Sequence, residues 1–197
     1  MDPNAIGKKY DNIAGWWNDQ HVESSYGLPA FERALQFNNQ IESALDVGCG
    51  SGGRFIKKLS SLGCSVTGID VSEGMIDLAK SNHPQHKFVL DDICKAQIND
   101  KFDLVYAWDS IFHLPLKKHK PVISKLCKAL RPQGIILYTF GNDIGEHMDT
   151  WKNDTFYYSS IGINENIALL IESGIKVLHL EIDQYPEKHV VVIGQLQ

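Results

Sequence analysis

"ALDVGCGSGG", residues 44–53, sets a short apolar run directly against a cluster of glycines. Ala44–Val47 has the length of a buried strand, and the glycines after it let the chain turn sharply while leaving backbone amides free to approach a ligand. A buried strand that turns at once into a helix is the first unit of an α/β sheet, and the rest of the chain repeats it.

Outward from that stretch, Val66–Ile69, Phe88–Leu90, Leu104–Ala107 and Ile135–Phe140 are short apolar runs bounded by Gly, Asp, Asn or Pro, as buried parallel strands are. The segments between them have helical spacing. "GGRFIKKLSSLG" places Phe55, Ile56 and Leu59 on one face and stops at Gly63. "SEGMIDLAKSN" opens with Ser72 as an N-cap, with Met75, Ile76 and Ala79 on its apolar face. "KKHKPVISKLCKALRPQG" carries Val122, Ile123, Leu126 and Leu130 and ends before Pro132.

In the last quarter, "NENIALLIESG" reads as a helix capped by Asn164 and stopped by Gly174. The β-rich runs Lys176–Ile182 and His189–Ile193 follow, separated by a gap too short for a helical crossover, so they pair antiparallel. Before the first strand, "YDNIAGWWNDQH" and "LPAFERALQFNNQI" read as helices, with Pro29 at an N1 position. The chain thus divides into a helical lid or brace (1–40), a core (41–140), an insert (141–163), and a final helix and hairpin (164–197) within one domain.

The 197 residues, 43% hydrophobic and 22% charged, have the composition of an ordinary globular domain. A net charge of −5 argues against a nucleic-acid partner, because that affinity comes from Lys and Arg neutralising phosphates. No run of about 18 apolar residues is present, and the start lacks the apolar core of a secretion signal, so a cytoplasmic protein without membrane contact is expected. The four cysteines show no metal-ligand spacing, and Glu146, His147 and Asp149 crowd into one loop without a recognised ligand pattern; no metal is expected.

Gly48, Gly50 and Gly53 fit the dinucleotide spelling G-x-G-x-x-G. Asp70 closes the second strand about 20 residues on, where a carboxylate accepts from both hydroxyls of a ribose. Asp46 separates the candidate cofactors. A carboxylate inside a buried strand repels a pyrophosphate and welcomes an α-ammonium group, although backbone amides of the turn are an alternative partner.

"ALDVGCGSGG", "VTGIDVSEGMI", "FVLDDI" and "KFDLVYAWDSIFHL", in that order, resemble the motifs of the class I S-adenosylmethionine-dependent methyltransferases over residues 40–195. The resemblance implies a Rossmann-like α/β fold: a mostly parallel seven-stranded sheet with a C-terminal antiparallel hairpin and helices on both faces. It implies S-adenosyl-L-methionine as cofactor, S-adenosyl-L-homocysteine as product, and methyl transfer as activity. Gly48, Gly50 and Gly52 would shape the turn under the methionine part, with Asp46 near its amino group. Asp70 would hold the ribose hydroxyls, and Val71 and Met75 would pack near the adenine. Asp92 would accept from the adenine amine, with the Ile93 amide on a ring nitrogen and Asp91 as the alternative. Ala107, Trp108 and Asp109 would lie near the methyl group.

Where amide methylases of the family carry an Asn/Asp-Pro-Pro-Tyr-type tetrapeptide this chain has "AWDS", which favours a small-molecule acceptor. His113 is the candidate general base, with packing or capping as its structural alternative. Tyr10, Trp16 and Trp17 lie in a helix of the kind that relatives fold over the cofactor, where aromatic faces favour a sulfonium. Arg33 is a partner for the methionine carboxylate or for a surface acid. In the insert, His147, Tyr157 and Tyr158 are candidate acceptor walls beside Asp109 and His113. A protein that binds the cofactor without catalysis, as a regulator or scaffold, shares the same motifs and is the alternative.

Overall fold

Three short helices precede the first strand in the computed structural model, which describes residues 2–197: α1 (Pro3–Asp11), α2 (Ala14–His21) and α3 (Leu28–Leu35). Asp2 caps α1 by accepting from the Asn4 amide, and Pro3 fills the first helical turn, where its missing N–H is no loss. The single helix expected over "YDNIAGWWNDQH" is instead two, broken at Asn12–Ile13. At the break the Asp11 carboxylate accepts from Ser72 Oγ (2.6 Å) and the Gly74 amide (3.0 Å), tying the end of α1 to α5. Helix α3 follows Gly27, whose φ is +77°, so Pro29 stands second in it and not first.

The core alternates β1 (Ser43–Val47), α4 (Arg54–Ser61), β2 (Ser65–Asp70), α5 (Glu73–Asn82), β3 (Lys87–Leu90), β4 (Phe102–Ala107), α6 (His119–Lys128) and β5 (Leu130–Gly141). After β5 come β6 (Ile144–Trp151), β7 (Asp154–Ile161), α7 (Gly162–Glu172), β8 (Ile175–Glu181) and β9 (His189–Leu196). Strand order in the main sheet is β3-β2-β1-β4-β5-β9-β8. The first five run parallel; β9 pairs antiparallel with both β5 and β8. This is the seven-stranded, mostly parallel sheet the motifs predict.

Apolar side chains cover both faces of the sheet. Phe31, Phe55, Ile56, Leu59 and Ile76 pack on one face, and Val122, Ile123, Leu126 and Leu170 on the other. Each such side chain contributes about 1.5–3 kcal/mol on leaving water. Covered on both sides, the sheet offers ligands only its carboxyl edge, where the β1, β2, β3 and β4 loops emerge.

Two expectations are corrected. Asn164 does not cap α7, which begins at Gly162 after Ile161; across this first turn the Asn166 side-chain Nδ2 donates to the Gly162 carbonyl (2.8 Å). The insert over 145–160 is no loop: β6 and β7 form an antiparallel hairpin closed by Lys152 and Asn153 at φ +51° and +63°, the left-handed pair that two-residue hairpin turns require. No helix among the described residues is long and apolar enough to cross a membrane.

Candidate active site

The glycine turn is built against β2 and the β4 loop. Amides of Gly48 and Cys49 donate to the Ile69 carbonyl at 2.8 and 3.2 Å. Gly48 has φ +75°, and a Cβ there would lie 2.2 Å from the Ser110 Cβ, whose hydroxyl donates to the Val47 carbonyl at 2.6 Å. Only glycine lets β1 and the β4 loop approach this closely. Asp70 braces the turn from the next strand, accepting from the Gly50 amide on Oδ2 (2.8 Å) and the Ser72 amide on Oδ1 (2.9 Å). Burial raises its pKa, and these amides pull it back. Each oxygen retains a further lone pair. Ser72 caps α5 as expected, accepting from the Met75 amide at 3.1 Å.

A cleft opens above this turn. Gly48 and Gly50 form its floor, Asp70, Val71 and Met75 one wall, and Asp91, Asp92 and Ile93 its far end. Asp92 is buried; its Oδ1 accepts from the Cys94 amide, while Oδ2 pairs with the exposed Lys95 ammonium at 3.2 Å. Pro3, Ile6, Tyr10 and Trp17 of the N-terminal helices roof the cleft, and Trp108, Asp109 and His113 close the side toward the insert.

His113 sits between the roof and the hairpin. Its Nδ1 lies 2.7 Å from the Tyr157 carbonyl, an acceptor only, so Nδ1 carries the proton and donates. Nε2 is then the free base, and the Tyr10 hydroxyl donates to it at 2.9 Å. Burial lowers the His113 pKa to about 4, and burial raises that of Tyr10. The pair is therefore a neutral imidazole with a neutral phenol at pH 7.

A second cleft adjoins the glycine turn and shares Trp17, Gly48, Gly50, Trp108 and Asp109 with the first. Asp46 faces this cleft and not the first one. Its partner in the fold is not a turn amide but the Tyr106 hydroxyl, which donates to Oδ2 at 2.8 Å; burial pushes its pKa up to about 7. Arg54 and Tyr26, neither singled out in the sequence, line it too.

Asp109 has a left-handed backbone (φ +49°), and its amide donates to Thr139 Oγ1 at 2.8 Å. His189, at the start of β9, approaches the Asp109 carboxylate at 2.8 Å and was not legible in the sequence as part of this site.

Other expected site residues lie elsewhere. Gly52 lines neither cleft and packs behind the turn against His83. Ala107 is fully buried in the sheet. Tyr157 is buried with its hydroxyl donating to Glu146 at 2.6 Å; it reaches the site through its carbonyl. Tyr158 packs tilted against His113 (4.8 Å) and stacks on the exposed His147 (5.3 Å), so Tyr158 and His147 form a layer behind the base and not a wall of the cleft. Arg33 pairs with Glu181 at 3.1 Å, the surface-acid alternative, because α3 turns it toward β8. Trp16 packs edge-on to Trp151, while Trp17 reaches both clefts.

Residues 44–134 match the family described as Methyltransferase domain. The 27-O-demethylrifamycin SV methyltransferase of Amycolatopsis mediterranei is 28% identical over 157 residues, which is 67% of this chain and 56% of that protein. The phosphoethanolamine N-methyltransferase of Plasmodium falciparum is 30% identical over 138 residues, 67% of this chain and 50% of that one. The chain spans only about half the length of these curated relatives. Among solved structures, the magnesium protoporphyrin IX methyltransferase of Synechocystis PCC 6803 with bound SAH has the same fold, with a TM-score of 0.71 at 16% identity over 100% of both chains. With its ordered motifs and sheet order, the chain belongs to the class I S-adenosylmethionine-dependent methyltransferase family.

Proposed function

We propose that this chain is an S-adenosylmethionine-dependent methyltransferase acting on an oxygen or nitrogen nucleophile of a small molecule. The observation that carries the reading is the first cleft, which joins a ribose-type carboxylate, a second buried carboxylate at its far end and a neutral base at its open side. These residues fit the cofactor: Asp70 has lone pairs for two hydroxyls, Asp92 Oδ2 has a lone pair for an exocyclic amine beside its contact with Lys95, and Val71, Met75 and Ile93 offer apolar faces to a purine. The small-molecule names of the rifamycin and phosphoethanolamine relatives and the net charge of −5 support a small acceptor.

When bound, S-adenosylmethionine supplies a methyl group already activated by its sulfonium. The protein's work is then alignment and water exclusion, with proton removal as a further task. Tyr10 and Trp17 shield the cleft, and Trp108 and Asp109 line the side on which an acceptor enters. An acceptor O–H or N–H gives its proton to the Tyr10 oxygen as the Tyr10 hydroxyl passes its own to His113 Nε2. The Tyr157 carbonyl holds the imidazole in the tautomer this needs.

Calorimetric titration with S-adenosylmethionine, S-adenosylhomocysteine and NADH, beside an Asp70→Ala variant, tests the cofactor. Binding of both sulfur nucleosides, weakened in the variant, is expected; binding of NADH alone overturns the reading. A screen of amines, phenols and alcohols for release of S-adenosylhomocysteine tests catalysis. Tight cofactor binding with no release from any acceptor class favours the non-catalytic binder.

A further inference from the structure

Two residues on the walls of the first cleft are each backed by a histidine. The Tyr10 hydroxyl rests on His113 Nε2 at 2.9 Å, and Asp109 Oδ1 rests on His189 Nε2 at 2.8 Å. The two pairs differ in where a proton can go. His113 offers a free nitrogen, whereas Asp183 Oδ1 lies 2.5 Å from His189 Nδ1, so both His189 nitrogens hold protons and the ring has no place for another. Asp109 therefore receives a hydrogen bond without relaying a proton onward through His189.

Asp109 is also fixed in place. Its φ of +49° is a conformation that residues other than glycine keep where their surroundings impose it. Those surroundings are His189 and Thr139, a fully buried residue of β5 whose hydroxyl accepts from the Asp109 amide (2.8 Å) and donates to Oδ1 (3.0 Å). Both side-chain donors use Oδ1, which leaves lone pairs of Oδ2 for a group in the cleft. Neither His189 nor Asp183 lines a cleft. They stand behind Asp109, together with Gln184, whose amide reaches both His189 Nδ1 (3.0 Å) and the Tyr26 hydroxyl (2.7 Å). An acceptor that meets both walls has to give Tyr10 the hydrogen that leaves in the reaction and Asp109 a second one that stays. A primary amine carries both on the reacting nitrogen, and a pair of adjacent hydroxyls carries them on neighbouring oxygens.

We propose that His189 and Asp183 are positioning residues for methyl transfer: they hold Asp109 so that Oδ2 takes a second donor hydrogen of the acceptor, and the enzyme thereby selects acceptors with two such hydrogens at the reacting end. The proposal rests on the methyltransferase reading and adds to it a rule of acceptor choice.

The test uses matched probes in which a methyl group replaces that second hydrogen: benzylamine against N-methylbenzylamine, and catechol against 2-methoxyphenol, each followed by release of S-adenosylhomocysteine. In whichever pair turns over, the wild type favours the two-donor member by about tenfold or more in kcat/KM, the scale of one hydrogen bond to a charged group. His189→Phe keeps a ring beside Trp108, 5.8 Å away in the native protein, and deletes both donors. It loses most of that preference through KM, with kcat changed by less than about threefold. His189→Gln returns a donor to Asp109 and recovers part of the preference, and Asp183→Asn, outside both clefts, falls between wild type and His189→Phe. Affinity for S-adenosylhomocysteine, read by calorimetry, stays within about twofold in all three, which separates positioning from a damaged fold. If His189→Phe does not fold, Asp183→Asn decides. Equal turnover of both members of a pair by the wild type, or a preference that these variants leave intact, overturns the proposal. Release from none of the probes defeats the methyltransferase reading instead, a different result from losing only the preference.

Discussion

His189 is held between two carboxylates: Nε2 lies 2.8 Å from Asp109 Oδ1, and Nδ1 lies 2.5 Å from Asp183 Oδ1. Both partners only accept, so both ring nitrogens donate and the ring is an imidazolium. Burial works against that charge, but Asp109 and Asp183 outweigh it and hold the pKa above the ordinary value. A folded-state pKa above the unfolded one gives stability that is complete below about pH 6.5 and lost as pH rises through the folded value. His189→Gln is therefore expected to lose about 1–3 kcal/mol at pH 6 and clearly less at pH 9, read from urea unfolding at both. Equal losses would mean the ring is neutral.

Tyr10 and His113 make the opposite pH argument. With its pKa near 4, His113 is already a free base at pH 6–9, so kcat with an acceptor from the screen should be flat there and fall below about pH 5. Tyr10→Phe keeps the ring contacts with Trp17 (5.6 Å) and Phe156 (5.3 Å), so cofactor affinity should stay within about twofold. Its kcat should drop about 10²-fold. The depressed His113 pKa also makes the unfolded chain take up the proton first. Stability is thus lost as pH falls from about 6.5 toward 4, and urea unfolding of His113→Gln should lack that loss.

Asp46 is strained in the free protein. Its folded pKa near 7 exceeds the unfolded value, so its contribution is favourable only below about pH 4 and is lost as pH rises toward and through 7. Asp46→Asn keeps an oxygen for the Tyr106 hydroxyl. It should stabilise the free protein by about 1–3 kcal/mol at pH 8, have little effect at pH 4, and weaken S-adenosylmethionine binding. Thermal unfolding with and without cofactor separates the effects, and a variant less stable at pH 8 would contradict this account.

Two glycines with the same φ of +75° provide a controlled pair. Gly48→Ala meets the Ser110 Cβ at 2.2 Å, whereas Gly63→Ala meets nothing within 4 Å. The first should cost about 2–4 kcal/mol and the second about 1 kcal/mol, measured by denaturant midpoint. Equal costs would show that the β4 loop moves aside.

The sheet was readable because each strand is a short apolar run punctuated by Gly, Asp or Pro, and its ligand edge because Asp70 and Asp92 end or follow such runs. The hairpin was not. All of β6 except Trp151 is exposed, so "IGEHMDT" shows no apolar period, and only the Lys152–Asn153 turn marked it. Helix α1 carried a start signal in Asp2–Pro3 that periodicity alone passes over. Of the site, the residues at strand ends were legible from local motifs. His189 stands 80 residues from Asp109 and meets it only because β9 inserts beside β5. Arg33 and Arg54 have equal charge in the sequence; which one faces the cleft depends on how α3 and α4 are rotated on the sheet.

The Tyr157 carbonyl that fixes the His113 tautomer belongs to the main chain. Replacing the side chain at 157, or resurfacing the exposed strand β6 beside it, leaves that acceptor in place as long as the hairpin pairs. The hairpin's outer residues can thus diverge without disturbing the acceptor that sets the His113 tautomer.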